Sequence, residues 1–257
     1  MRFMTTTTPH LFILTGASRG MGLAMAHQLL LPGHTLLCIS RTESAALPQP
    51  AQQAGARLLQ WPHDLADSQA LTGRLEDWLG EQSATPWRSA TLINNAGVIA
   101  RIGPLSEAGP ADLAMALRVG LEAPMLLTSA FLRATEGWQA ERRVLNISSG
   151  LGRRPMASQS AYCAAKAGID HFSRCLALEE GVKTGGAKVC SLAPGVIDTG
   201  MQLQLRSADP TAFPDRDSFT RLKSAGQLAS PDEAARSVLA YLARPDFGAQ
   251  PVGDVRD

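Results

Sequence analysis

The chain has 257 residues, 45% of them hydrophobic, and a formal net charge of +1 at pH 7. That balance argues against a generic nucleic-acid binder, which carries a marked basic excess, while the apolar content is ample for one buried core. No apolar stretch nears the ~20 residues of a membrane span, no signal-peptide core is present, and Cys38, Cys163, Cys175 and Cys190 lack metal-ligand spacing, so a soluble cytoplasmic protein with reduced thiols is expected.

Residues 1–9, with their run of threonines, read as a flexible leader to one domain spanning 10–257. Short apolar runs then alternate with longer helical patterns, the signature of repeated βαβ units. Strands are expected at Leu11 to Leu14, Thr35 to Ile39, Arg57 to Gln60, Thr91 to Ile93, Val144 to Ile147 and Lys188 to Leu192. Helices are expected from Gly20 to Leu31, Ser68 to Gly80, Ala111 to Ala134 and Ser158 to Glu180. Another begins at Ser230-Pro231-Asp232-Glu233, with a capping serine, a first-turn proline and acids near the positive helix end. The segment Gly200 to Ala229 is rich in Pro, Asp, Ser and Gln, breaks this rhythm and suits a lid over a site. The fold class is α/β: a doubly wound, Rossmann-type parallel sheet of about seven strands with helices on both faces.

The first strand runs into Thr15-Gly16-Ala17-Ser18-Arg19-Gly20-Met21-Gly22 and then a helix. Glycines let a backbone turn tightly and approach a pyrophosphate, which the free N–H groups of a helix start attract. The spacing is Gly-x-x-x-Gly-x-Gly, not the Gly-x-Gly-x-x-Gly of the usual dinucleotide fingerprint. The second strand ends Ser40-Arg41-Thr42, with no acid to bind a ribose 2′-hydroxyl. Arg41 and Arg19 could instead clamp a 2′-phosphate, which favours NADP(H) over NAD(H), unless both are simply solvated surface arginines.

Tyr162 and Lys166 lie about one helical turn apart and share a helix face. A cation there is expected to lower the tyrosine pKa and make it a better proton donor. Alone the pair means little, but Ser149 stands thirteen residues before the tyrosine. Cys163, beside the tyrosine, reads as small apolar packing, and the scattered Trp61, Trp78, Trp87 and Trp138 read as packing rather than a base-stacking platform.

Taken in order, Thr15 to Gly22, Asp64-Leu65, Asn94-Asn95-Ala96-Gly97, Ser149, Tyr162/Lys166 and Pro194-Gly195 resemble the short-chain dehydrogenase/reductase family over nearly the whole chain. The resemblance implies a cofactor lined by Gly16, Ser18, Arg19, Gly20, Met21, Gly22, Arg41, Asp64, Leu65, Asn94, Ala96, Gly97, Tyr162, Lys166, Pro194, Gly195, Val196 and Thr199. It implies that Tyr162 donates a proton, Ser149 positions the substrate oxygen, and Lys166 tunes the tyrosine while bonding the cofactor ribose. Within the family the chain is similar to sepiapterin reductases and bacterial carbonyl and benzil reductases. By that likeness Asp254 is a candidate substrate anchor, unless it is a solvated carboxylate in a mobile tail.

The implied activity is NADPH-dependent reduction of a small ketone, an α-dicarbonyl or a pterin side-chain ketone. The alternatives are an NADP-dependent secondary-alcohol dehydrogenase and a catalytically weak NADP(H)-binding regulator. Gly120 encourages the last, because many members carry an asparagine at that place whose side chain steadies a helix kink. Glycine tolerates the kink and keeps the carbonyl, so a slower proton relay is expected, with Gly120→Asn raising turnover. The pocket is expected to be shaped by 200–229 together with Met156 and Gln159, and the helices at 111–134 and 158–180 to carry a homodimer or homotetramer contact.

Overall fold

The computed structural model describes residues 9–257, so nearly all of the expected leader lies outside the described residues. Seven strands form one parallel sheet in the order β3-β2-β1-β4-β5-β6-β7. They are β1 (His10–Thr15), β2 (His34–Ser40), β3 (Arg57–Pro62), β4 (Ser89–Asn94), β5 (Glu141–Ile147), β6 (Lys188–Ala193) and β7 (Val252–Asp254). The six apolar runs are β1 to β6. β7, which no apolar run marks, pairs Asp254 with Ala193 at the sheet's edge.

Alternation along each strand divides the core in two. Phe12 and Leu14 of β1 pack with Met25 of α1 (Gly20–Leu29) and with Val238 and Leu242 of α9 (Pro231–Leu242). Leu11 and Ile13 face the other way, onto Leu75 and Trp78 of α3 (Gln69–Glu81), Leu127 and Phe131 of α5 (Ala123–Ala134) and Leu176 of α6 (Ser160–Gly181). Each such side chain, fully buried, contributes roughly 1.5–3 kcal/mol of transfer free energy. Ser230 caps α9 through a complete capping box with Glu233, as its sequence implied. A short helix missing from the sequence reading, α2 (Pro48–Ala54), precedes β3.

The expected 111–134 helix is three pieces: α4 (Pro110–Leu117), a π-helical turn Arg118–Glu122, and α5. Together they are long and apolar enough to cross a membrane, which corrects the expectation that no such stretch exists. Half of that window is buried, however, and Leu127 and Phe131 belong to the core against the sheet, as in a flanking helix of an α/β layer. Residues 200–229 carry two helices, α7 (Gly200–Arg206) and α8 (Arg216–Ser224), and the base of the segment is closed by an Ile197–Ala229 bridge.

The sheet winds outward from β1 in both directions, so the loops after β1 and β4 diverge. The crevice between them is where an open parallel sheet binds ligands.

Candidate active site

The loop after β1 enters this crevice because bulk is missing there. Gly16 has φ +72°, and a Cβ on it would lie 2.9 Å from Ala96 Cα; on Gly22 it would lie 2.0 Å from the Gly16 carbonyl oxygen. Only glycine lets the turn close so tightly onto the start of α1. The loop is tied down: Ala17 N–H donates to Ser40 Oγ (2.8 Å), and Asn95 Nδ2 donates to the carbonyls of Thr15 (2.9 Å) and Gly16 (3.2 Å). No side chain caps α1, and its first turn holds no acid, which leaves its positive end open to an anion. Arg19 and Arg41 are exposed beside it, without an ion pair among the described residues, so cradle and charge both fit a phosphorylated dinucleotide.

Four of the remaining cofactor candidates meet in pairs. A Cβ on Gly20 would meet Thr199 Cγ2 at 3.6 Å, and one on Gly97 would meet Lys166 Nζ at 3.8 Å. Pro194, Gly195 and Val196 follow β6 directly, and Val196 O accepts the N–H of Ala229 at 2.9 Å. Asp64 is exposed and Leu65 buried just beyond β3. Asn94 is different, for its side chain turns into the sheet, where Nδ2 donates to Asn146 Oδ1 (2.8 Å) and Thr128 Oγ1 (3.2 Å). Its neighbour Asn95, in the same Asn-Asn-Ala-Gly turn, carries the loop-holding contacts instead.

Ser149, two residues beyond β5, accepts the Leu151 N–H at 3.1 Å, and its hydroxyl lies near enough to the Tyr162 phenol to pull that phenol's pKa down. Lys166 is buried, and its Nζ donates to Ile147 O at 2.7 Å, with the Tyr162 ring centroid 5.7 Å away. The expected lowering of the tyrosine pKa is not the net result. Withdrawal from water raises Tyr162, the Ser149 hydroxyl offsets part of this, and the cation gives way instead: burial brings Lys166 down to about 8, against an upward pull from Asp170.

Asp170 went unnoticed in the sequence, where a mid-helix acid reads as a solvated charge. It is buried, and Oδ1 accepts from Ser148 Oγ (2.6 Å) and Ser191 Oγ (2.7 Å) while Oδ2 accepts from Arg153 Nε (3.2 Å). Arg153 Nη2 in turn donates to Gly253 O at 2.7 Å. One carboxylate thus registers β5 beside Ser149, α6 one turn below Lys166, β6 and, through the arginine, β7.

Asp254 is not in a mobile tail. It sits in β7, buried, and Arg256 forks onto it with Nε to Oδ1 at 2.7 Å and Nη2 to Oδ2 at 2.6 Å, which lowers its pKa.

A glycine turn, a Ser-Tyr-Lys cluster and a sheet crevice therefore meet at one end of the sheet. The short chain dehydrogenase family matches residues 10–210 of this sequence. The chain belongs to that family. It is an oxidoreductase, and members use NAD(P)(H). A benzil reductase ((S)-benzoin forming) from Bacillus cereus is 37% identical over 243 residues, covering 95% of this chain and 96% of that protein. A sepiapterin reductase from Meriones unguiculatus is 34% identical over 247 residues, covering 91% and 92%. The crystal structure of a short-chain dehydrogenase/reductase from Burkholderia vietnamiensis, 34% identical, superposes with a TM-score of 0.64 over 96% of this chain and 97% of that one.

Within this short-chain dehydrogenase, Gly120 has a packing reason. It is buried in the π-helical turn, and a Cβ there would stand 3.0 Å from the Cβ of Ala165, between Tyr162 and Lys166 on α6. A Cβ there requires Ala165 to give by a few tenths of an ångström, so any gain in turnover from Gly120→Asn comes against a steric cost.

Proposed function

We propose that this protein reduces a small ketone, foremost an α-dicarbonyl such as benzil, to the alcohol with NADPH as reductant. The observation that carries the reading is the Ser149–Tyr162 hydroxyl pair over buried Lys166, facing the crevice that begins at the glycine turn. The nicotinamide supplies the hydride when bound. Tyr162 keeps its proton at neutral pH, because burial raises its pKa, and gives it to the carbonyl oxygen as negative charge develops there. Ser149 holds that oxygen by a second hydrogen bond, which strengthens as charge grows. Lys166, with a pKa of about 8, remains largely protonated at neutral pH and returns a proton to the tyrosine after each turnover.

Exposed Arg19 and Arg41 support NADPH over NADH, since a bidentate guanidinium suits a 2′-phosphate. The Arg256 fork favours a neutral diketone over a pterin. A pterin's guanidine-like edge would have to displace an arginine that already satisfies Asp254. Residues 10–257 act as one reductase domain with 200–229 as its lid. Its free thiols suit a reducing cytoplasm. Exposed Met115, Leu117 and Met125 on α4 and α5, with Leu178 and Val182 at α6, support self-association of these helices.

The test is NADPH oxidation at 340 nm with benzil, diacetyl, sepiapterin and simple ketones, NADH run in parallel, for the wild type and Arg41→Ala. Diketone turnover with NADPH, and an NADPH KM raised roughly tenfold in Arg41→Ala, supports the reading. Preference for NADH, or no turnover of any ketone, overturns it.

A further inference from the structure

Beside Tyr162 the structure leaves a polar group unsatisfied. Gln159, the residue preceding α6, is 4% exposed, yet both atoms of its carboxamide, Nε2 and Oε1, are buried without a hydrogen-bond partner among the described residues. Buried amides in folded proteins are nearly always paired, and an orphan is costly to keep. Gln159 lies three residues before Tyr162, on the same side of the first helical turn, and both line a cleft closed by Ala100, Gly103, Leu105 and Leu113. The polar residues that also line it, Arg101, Ser158 and Ser160, make no hydrogen bond to the amide.

The backbone beside it is also held out of its relaxed state. Ser158, with φ +64°, is the single non-glycine residue in the left-handed region among the described residues. Strain of this kind persists only where neighbours enforce it, and it clusters at ligand sites. Here the Ser158 hydroxyl donates to Ala212 O in the 200–229 segment at 2.6 Å, and Gly103 N–H donates to Ser158 O at 3.3 Å. Both ties fix the peptide that turns Gln159 inward. Orphaned amide and enforced strain are independent observations, and they meet at one cleft next to the hydroxyl pair.

Resting on the carbonyl-reductase reading, we propose that Gln159 is the residue that selects vicinal dicarbonyls, its Nε2–H donating to the spectator carbonyl oxygen while Ser149 and Tyr162 hold the carbonyl being reduced. A diketone offers two oxygens on adjacent carbons, which suits hydroxyls and an amide separated by less than one helical turn. A simple ketone fills the reactive position and leaves the amide unpaired. Sites with a buried polar group discriminate strongly against ligands that cannot pair it.

The experiment compares wild type, Gln159→Leu and Gln159→Glu on diacetyl against 2-butanone and on benzil against deoxybenzoin. Steady-state kcat and KM are read with NADPH, and thermal unfolding is followed in parallel. Gln159→Leu should lower the diketone-to-monoketone ratio of kcat/KM by 10- to 100-fold, mainly through KM for the diketone. Its melting temperature should equal or exceed that of the wild type, because a buried orphan has been removed. Gln159→Glu, an acceptor without a donor when ionised, should lower the ratio too. An unchanged ratio in an enzyme that reduces diketones overturns this inference alone. So does a Gln159→Leu protein of lowered melting temperature that loses both substrates equally, which would mark the amide as structural. A wild type that reduces no diketone overturns the carbonyl-reductase reading and this inference with it.

Discussion

Replacing Asp170 by asparagine keeps the side chain's shape and removes its charge. One oxygen can still accept from Ser148 and Ser191, now 2.6 and 2.7 Å away, but the new NH2 group confronts Arg153 Nε, donor against donor, across 3.2 Å. Hydrogen bonds to a charged group contribute about 1.5–3 kcal/mol each. One such bond is lost and two are weakened, while Arg153, a third exposed, recovers part of its solvation. The net loss should be about 2–3 kcal/mol, which for a protein near this size lowers the melting temperature by roughly 5–10 °C. The second effect falls on Lys166. Asp170 opposes the depression of its pKa, so without that charge the pKa drops below about 8. The groups around this lysine are Tyr162, Cys163 and Asp170 on α6, Arg153 on the turn after β5, and the Ile147 carbonyl of β5. If the ammonium form carries the proton relay, the alkaline limb of kcat/KM for a diketone moves to lower pH in Asp170→Asn. Differential scanning fluorimetry at pH 7 and a rate profile from pH 6 to 10 read both effects. A melting temperature within about 2 °C of wild type together with an unmoved limb would refute the role given to this carboxylate.

Three further outcomes are expected. Tyr162→Phe should lower kcat by roughly 10²–10⁴-fold, the usual contribution of a positioned acid, while NADPH fluorescence titration gives an unchanged Kd; a variant that keeps its turnover would remove Tyr162 from the mechanism. The folded protein releases the Lys166 proton near pH 8 and the unfolded chain near 10.5, so across that interval the unfolded state holds more protons and stability rises with pH. Relative to Lys166→Met, the wild type should therefore gain on the order of 3 kcal/mol between those values in urea titrations, and a constant difference would contradict the buried cation. Gly120→Asn, pressed against Ala165, should cost about 1–3 kcal/mol of stability, with part of it returned by adding Ala165→Gly. An asparagine variant as stable as wild type would mean that α6 yields there.

The strands were legible because a parallel sheet buried on both faces must be written as apolar runs, and β1 and β2 are such runs. The glycine turn, Ser149, Tyr162 and Lys166 were legible because their residue types and order are dictated by the groups they must approach. What escaped has physical reasons. Pro48 and Pro50 disguise α2 as loop. β7 is three residues long and contains a glycine, too short to carry a period. Asp170 and Gln159 are polar letters inside or before a helix, and nothing in a linear pattern tells a buried acceptor or an orphaned amide from a solvated one. The direction of the Tyr162 shift depends on how much water the fold removes, a three-dimensional quantity.

A sheet with two ends must also avoid recruiting foreign strands. Here β7 offers only Val252 to Asp254, directly after Pro251, a residue without an amide hydrogen, and β3 at the opposite edge ends on Pro62. A stray strand aligned on β7 would find few hydrogen bonds to extend, and one on β3 meets a proline at that strand's end. The apolar side chains that protrude most, Val182 and Leu178, lie instead on the helical flanks. The border strand that Arg153 ties to the catalytic end is thus also the edge least able to template a foreign strand.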